Sequence, residues 1–178
     1  MKITLKDGSV LEFESGVTGM DVAKAISEGL ARVAVCVKVN GELIDLSTPI
    51  TEDAELQIIT LKDKEGLDVL RHTCSHVLAQ AVKNIFPTSK LAIGPTVENG
   101  FYYDIDFKTP ITQQDLIKIE DEMKAIIKSD FPLERYVYSK KDALKIMKDF
   151  DEPYKVDLIH DLPPKSTISF YRQGDFMD

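Results

Sequence analysis

Apolar and polar residues alternate from the start of the chain. Ile3 and Leu5 fall between Lys2, Thr4 and Lys6, a period of two that predicts a strand. Lys6-Asp7-Gly8-Ser9 supplies a hairpin turn, and Val10, Leu11 and Phe13 continue as a second strand. Thr18-Gly19-Met20-Asp21 has the form of a capping box with Asp in place of Glu. Behind it, Val22, Ala23, Ala25 and Ile26 make one side of a short helix that Gly29 is placed to end. Val33 to Val39 is rich in β-branched residues and predicts a central strand. Asn40-Gly41 turns it into Glu42-Leu43-Ile44, and Leu56 to Leu61 forms a last strand. The order β-β-α-β-β-β predicts a ubiquitin-like β-grasp, a module near the lower size limit for independent folding. It holds no nucleophile–base pair and no phosphate loop, so its expected role is binding or docking.

The pattern changes at the charged break Lys62-Asp63-Lys64-Glu65-Gly66. The expected domains are 1–62 and 63–178. A helix then runs to Phe86-Pro87. Leu91 to Pro95 predicts a short strand. Phe101 to Phe107 predicts another, with Phe101, Tyr103, Ile105 and Phe107 on one face and Tyr102, Asp104 and Asp106 on the other. Thr112 caps a long helix whose Leu116, Ile119, Met123 and Ile126 form an apolar stripe, and Phe131-Pro132 ends it. Leu133 to Tyr138 is a strand. Ser139-Lys140-Lys141-Asp142 opens a short helix through Phe150, and Pro153 to His160 supplies one or two helical turns. Thr167 to Tyr171 is a strand. No element is expected from Gln173 to Asp178, where the apolar pair Phe176-Met177 reads as a chain that stops inside a fold. The fold class is therefore α+β: a β-grasp domain followed by a separate α+β domain truncated at its C-terminus.

Composition adds limits. Hydrophobic residues are 43% and charged residues 29%, values that suit a soluble globular protein. No apolar run approaches the roughly 20 residues of a membrane span, and the first residues lack signal-peptide order. Cys36 and Cys74 sit inside apolar patterns and read as buried thiols in a reducing cytosol. The net charge of −8, shared equally between 1–62 and 63–178, argues against general affinity for phosphate backbones. It leaves room for a site that meets one end of a nucleic acid.

The chemistry concentrates in Arg71-His72-Thr73-Cys74-Ser75-His76, which holds two of the three histidines. At i and i+4 the two imidazoles share one helix face, away from the stripe of Leu70, Cys74, Val77, Leu78, Ala81 and Ile85. Three readings stay open: structural histidines, a metal site, or acid–base work. The zincin pattern fails because Thr73 stands where Glu is needed, and His160 is the only further histidine. Lys155 reads first as a solvated lysine, Asp104 and Asp106 as the wet side of a strand, and Arg71 as a partner for Asp68 or a phosphate.

Taken with Ala92-Ile93-Gly94-Pro95, Glu98-Asn99-Gly100-Phe101-Tyr102-Tyr103-Asp104 and Tyr154-Lys155-Val156, this stretch resembles the N-terminal region of the bacterial threonyl-tRNA synthetase family. Residues 1–62 resemble its TGS domain, and the rest resembles its editing domain, shared with alanyl-tRNA synthetases. The resemblance implies a ligase that charges tRNA(Thr) with threonine using ATP, and a second domain that hydrolyses Ser-tRNA(Thr). A pocket built for threonine excludes serine, smaller by one methyl, by only about 1–3 kcal/mol, so a second site must remove the error. By resemblance His72, His76 and Lys155 are the expected catalytic residues. Tyr103, Asp104 and Asp178 are expected to bind substrate, with Asp178 the acidic residue just before the family's CxxxH motif. That motif does not appear before the chain finishes. The expectation is that the chain lacks half the editing site and the ligase core with its ATP, Mg and Zn sites, and is itself inactive. No metal or cofactor is expected in residues 1–178. The expected partner is the 3′ end of tRNA(Thr) mischarged with serine, in the cytoplasm and away from membranes. Homodimerisation is expected only through the family's other domains. The alternative is a non-catalytic tRNA- or protein-binding module acting through the TGS domain.

Overall fold

A computed structural model describes residues 1–178, which divide into two compact units, Met1–Arg71 and His72–Asp178. No helix is long and apolar enough to cross a membrane.

The first unit begins with β1 (Lys2–Leu5), β2 (Val10–Glu12) and β3 (Val17–Thr18), then α1 (Gly19–Ile26) and α2 (Glu28–Val33). It continues with β4 (Ala34–Val39), β5 (Glu42–Asp45), β6 (Pro49–Ile50) and β7 (Ala54–Thr60). The main sheet has the order β2-β1-β7-β4-β5, with β1 and β7 parallel and the other neighbours antiparallel. This is the mixed sheet of a β-grasp. The inward residues Ile3, Val37 and Leu56 close over Val22 of α1, all essentially without solvent exposure. Each such side chain contributes about 1.5–3 kcal/mol by leaving water.

The Thr18 capping box is present in both directions. The helix behind it ends differently from expectation. Ser27, not Gly29, breaks it: Ser27 is extended, its N–H donates to Ala23 O, and its hydroxyl accepts from Leu30 N to start α2. A serine offers the backbone this alternative to continued helix. Gly29 and Val33 consequently lie in α2, and β4 starts one residue later than the β-branched run does. At the β4–β5 turn, Asn40 (φ 48°) and Gly41 (φ 89°) both take the left-handed conformations that a two-residue hairpin requires. The Asn40 Oδ1 accepts from Glu55 N at 2.9 Å, tying the turn to β7.

Helix α3 (Lys64–Ile85) carries the chain past residue 71. Two short antiparallel pairs follow in the second unit: β8 (Lys90–Leu91) with β11 (Ile105–Asp106), and β9 (Thr96–Val97) with β10 (Gly100–Phe101). The continuous strand expected over Phe101–Phe107 is thus divided, because each end pairs with a different partner. Tyr102 to Asp104 join the two ends, held by Asp104 N to Ile93 O at 2.8 Å and Ala92 N to Asp104 O at 2.9 Å. The alternation of half-buried and exposed residues nevertheless runs unbroken through this stretch.

Helix α4 (Gln113–Ser129) starts at a second complete capping box on Thr112 and ends at Asp130, which is left-handed. Its Ile119 and Ile126 pack with Val77, Ala81 and Val82 of α3. Then come β12 (Leu133–Ser139), α5 (Lys140–Asp149), α6 (Pro153–Asp161), β13 (Thr167–Gln173) and β14 (Phe176–Met177). The sheet order is β12-β13-β14, and Ala143, Met147, Ile159 and Phe170 form the core beneath it. The segment expected to carry no element turns at Gly174-Asp175 and pairs back on β13. Asp178 extends the ladder, with Tyr171 N to Asp178 O at 2.7 Å and Asp178 N to Tyr171 O at 3.0 Å.

Candidate functional site

Helical spacing brings the rings of His72 and His76 together, with Nε2 atoms 3.2 Å apart and centroids 4.7 Å apart. At that distance one Nε2 carries the proton and the other accepts it. Ser75, beside them on α3, is buried, and its hydroxyl is satisfied by donating back to His72 O at 2.7 Å. His72 is exposed and His76 half-buried. Burial holds the His76 imidazole below its ordinary range, against the opposing pull of the Asp178 charge and with help from His72 and Lys155. His76 is therefore a neutral acceptor or donor at pH 7, not a fixed cation.

A second group of residues comes from three separated segments. Tyr103 Oη donates to Asp178 Oδ2 at 2.7 Å, Lys155 Nζ donates to Tyr103 Oη at 3.0 Å, and Lys155 forms an ion pair with Asp178 Oδ1. The side chains of Lys155 and Asp178 are only 14% and 6% exposed. Burial raises the Asp178 carboxyl, but Lys155, His76 and the Tyr103 hydroxyl outweigh it and hold the acid ionised well below its ordinary range. The same burial, with the Asp178 charge, pushes the Tyr103 phenol far up, so it remains a donor. Asp178 acts electrostatically on His76, which joins the two groups into one site.

Local structure explains the placements. Tyr103 lies in the irregular joint between β10 and β11, and its ring rests on Gly94. A Cβ on Gly94 would stand 2.3 Å from Tyr103 Cδ2. Lys155 sits in the first turn of α6, after Pro153 at the helix start. Glu152, just before that turn, is 5% exposed. Its Oε1 pairs with Lys83 of α3 at 2.6 Å, and its Oε2 accepts from Leu91 N of β8 at 2.8 Å. A cleft of about 500 Å³ beside Lys155 is lined also by Gln80, Lys83, Asn84 and Glu152.

Five of the six expected site residues, His72, His76, Lys155, Tyr103 and Asp178, gather here. Asp104 does not join them; its residue is exposed and it takes part through its backbone. Asp106 instead accepts from the Tyr154 hydroxyl at 2.9 Å. Arg71 lies 3.6 Å from Asp68, one turn back. The third histidine, His160, is exposed beside Asp161. No three His, Cys, Asp or Glu side chains converge to hold a metal ion. Two participants escaped sequence reasoning. Tyr171 presents its ring at 89° to His76, centroids 6.2 Å apart, and Glu152 anchors the turn that carries Lys155. The Gly174-Asp175 turn followed by Phe176-Met177 was the available signal for a return strand that places Asp178 beside Tyr171.

The site offers a neutral imidazole, a fixed ammonium and a fixed phenol, with no activated nucleophile. The nearby Cys74 thiol is pushed up by burial, away from thiolate. Such a set suits attack by a positioned water on an ester, with a base for the water and a cation for the oxyanion or leaving oxygen.

Comparison with known proteins shows what the chain is similar to. Residues 1–60 match the TGS domain family. Over all 178 residues the chain is 57% identical to a threonine–tRNA ligase of Acetivibrio thermocellus. It is 54% identical to that of Caldanaerobacter subterraneus subsp. tengcongensis and 53% identical to that of Clostridioides difficile. In each case the match covers the whole chain and 28% of the relative's length. The matched part is the N-terminal region of these ligases.

Proposed function

From the premise that residues 1–60 are a TGS domain and the whole chain matches the N-terminal region of bacterial threonine–tRNA ligases, we propose that the His72–His76 and Tyr103–Lys155–Asp178 groups are one side of a pocket that hydrolyses Ser-tRNA(Thr). The observation that carries this reading is the buried Lys155–Asp178–Tyr103 triangle beside the His72–His76 pair. Neutral His76, alone or through His72, accepts the proton of the attacking water. Lys155 stabilises negative charge developing on the ester or on the leaving ribose oxygen of the 3′-terminal adenosine. Tyr103 and Asp178 are positioning residues that fix the ammonium. Asp104 keeps a substrate role only if the bound seryl group reaches the exposed side of the Tyr102–Asp104 joint. The domains are read as 1–62 and 63–178.

The whole protein, on this reading, charges tRNA(Thr) with threonine in the cytoplasm. ATP, Mg and Zn would serve that reaction outside residues 1–178, and homodimerisation would likewise use other segments. The test is deacylation of Ser-tRNA(Thr) by a protein extended through the roughly 50 residues that would complete a small domain. Hydrolysis that falls by about 10²–10⁴-fold in His76→Ala or Lys155→Met supports the pocket. An extended wild type no faster than its His72→Ala variant overturns it.

A further inference from the structure

We propose that the outer face of α5 docks the phosphate backbone of a nucleic-acid duplex, here the stem of the tRNA whose 3′ end the pocket would receive. The identity of that nucleic acid rests on the reading above; the surface itself does not. Lys141, Lys145 and Lys148 recur at i, i+4 and i+7, one stripe of the helix. All three are exposed, and none is in an ion pair. With Lys140, Leu144 and Pro164 they line a groove of about 610 Å³ that contains no carboxylate. Lys140 is fixed there, donating to His160 O at 2.7 Å and to Leu162 O, so the end of α6 forms a set wall of the groove. The carboxylates of α5 are engaged or unpaired elsewhere. Asp142 accepts from the Ser139 hydroxyl at 2.6 Å, and Asp149, one turn beyond Lys145, forms no ion pair with it.

Four lysines around one acid-free hollow stand out in a chain of net charge −8. They create a local positive field on an acidic molecule. Lys141 and Lys148 are about 10.5 Å apart along the helix axis at ~1.5 Å per residue. That length spans about three phosphates of one strand at ~3.4 Å each. The hollow has no aromatic ring for stacking an unpaired base and no arginine for bidentate base recognition, which favours the backbone of a duplex over a single strand. Its apolar lining, Leu144 and Pro164, is too small to anchor a peptide.

The test is fluorescence anisotropy of the 178-residue chain with a labelled tRNA(Thr) transcript across a salt series, alongside a non-cognate tRNA and poly-glutamate. The triple variant Lys141→Gln, Lys145→Gln, Lys148→Gln is expected to lower the slope of log K against log salt by about 2.7, at about 0.9 per lysine on a duplex. The effect should be equal for both tRNAs, and the corresponding triple Arg variant should restore the slope. Equal slopes for wild type and the Gln variant, no tRNA binding at the lowest salt, or displacement of tRNA by poly-glutamate at matched charge each overturn the proposal. Slope loss together with failed deacylation in the extended protein keeps the surface and removes the pocket. Intact deacylation with unchanged slopes does the reverse.

Discussion

At the scale of single residues, the most exacting contact is the Lys155–Asp178 pair. Two buried opposite charges attract strongly but have lost their water, so removing one partner costs more than the pair contributes. Lys155→Met keeps most of the side-chain volume and strands a carboxylate that is 6% exposed. We expect a loss of about 3–5 kcal/mol in the second unit, read by chemical denaturation. Protonation of Asp178 in the variant should recover part of that loss, so the deficit shrinks at acid pH. Gly94 tests the same triangle from outside. Gly94→Ala places a methyl 2.3 Å from the Tyr103 ring, which must swing away from Asp178. The expected cost is about 1–3 kcal/mol. Deacylation by the extended protein should fall further than the stability loss explains, with the Tyr103→Phe variant as comparison. The histidine pair was legible from spacing alone, because i and i+4 is a local rule. Asp178 was not, since its partners Tyr103 and Lys155 lie 75 and 23 residues away and only the fold brings them together.

At the scale of elements, local rules predicted what local chemistry decides. The capping residues Thr18, Thr112 and Ser139 each begin a helix as their side chains require. The Asn40-Gly41 hairpin follows from the same kind of signal. The misses arose where a long-range partner, or a second use of one residue, intervened. Ser27 caps two helices at once, and the strand expected at Phe101–Phe107 is divided between β9 and β8. Glu152 is the element-level device behind the site, because its two oxygens tie the start of α6 to α3 and β8. Glu152→Gln keeps an acceptor for Leu91 N but takes the charged partner from the Lys83 ammonium, which retains only its bond to Ser89 O at 2.9 Å. Faster hydrogen exchange at Leu91 and through the first turn of α6 is expected, with a stability loss of about 1–3 kcal/mol. Exchange unchanged from wild type would contradict that role.

For the molecule as a whole, acid should act in two stages. His76 has its pKa depressed below an ordinary 6.5, first by burial. The unfolded chain therefore takes up a proton before the folded one, and stability falls as pH drops below about 6.5. Asp178, also depressed from an ordinary 3.8, contributes stability that is full above that value and is lost below it. Denaturation midpoints between pH 7.5 and 5.5 should fall less for His76→Gln than for wild type. A wild type as stable at pH 5.5 as at 7.5 would refute the account. The α+β class was legible because periodicity switches from two to 3.6 after the charged break, but the two compact units divide at Arg71, within α3, where no change of pattern marks the chain. The return strand β14 was not, because two apolar residues are too few to show a period.

The clamp on Asn40 has a consequence for how the protein ages. Asparagine followed by glycine is the dipeptide most prone to spontaneous deamidation, in which the glycine nitrogen attacks the side-chain carbonyl carbon and expels ammonia. Here both residues are held left-handed, and the Asn40 side-chain oxygen is engaged by Glu55 N–H. The attack geometry is reached only when the β4–β5 turn opens. The slow appearance of isoaspartate at residue 40 in stored protein is thus a chemical clock. It counts how often this one hairpin lets go.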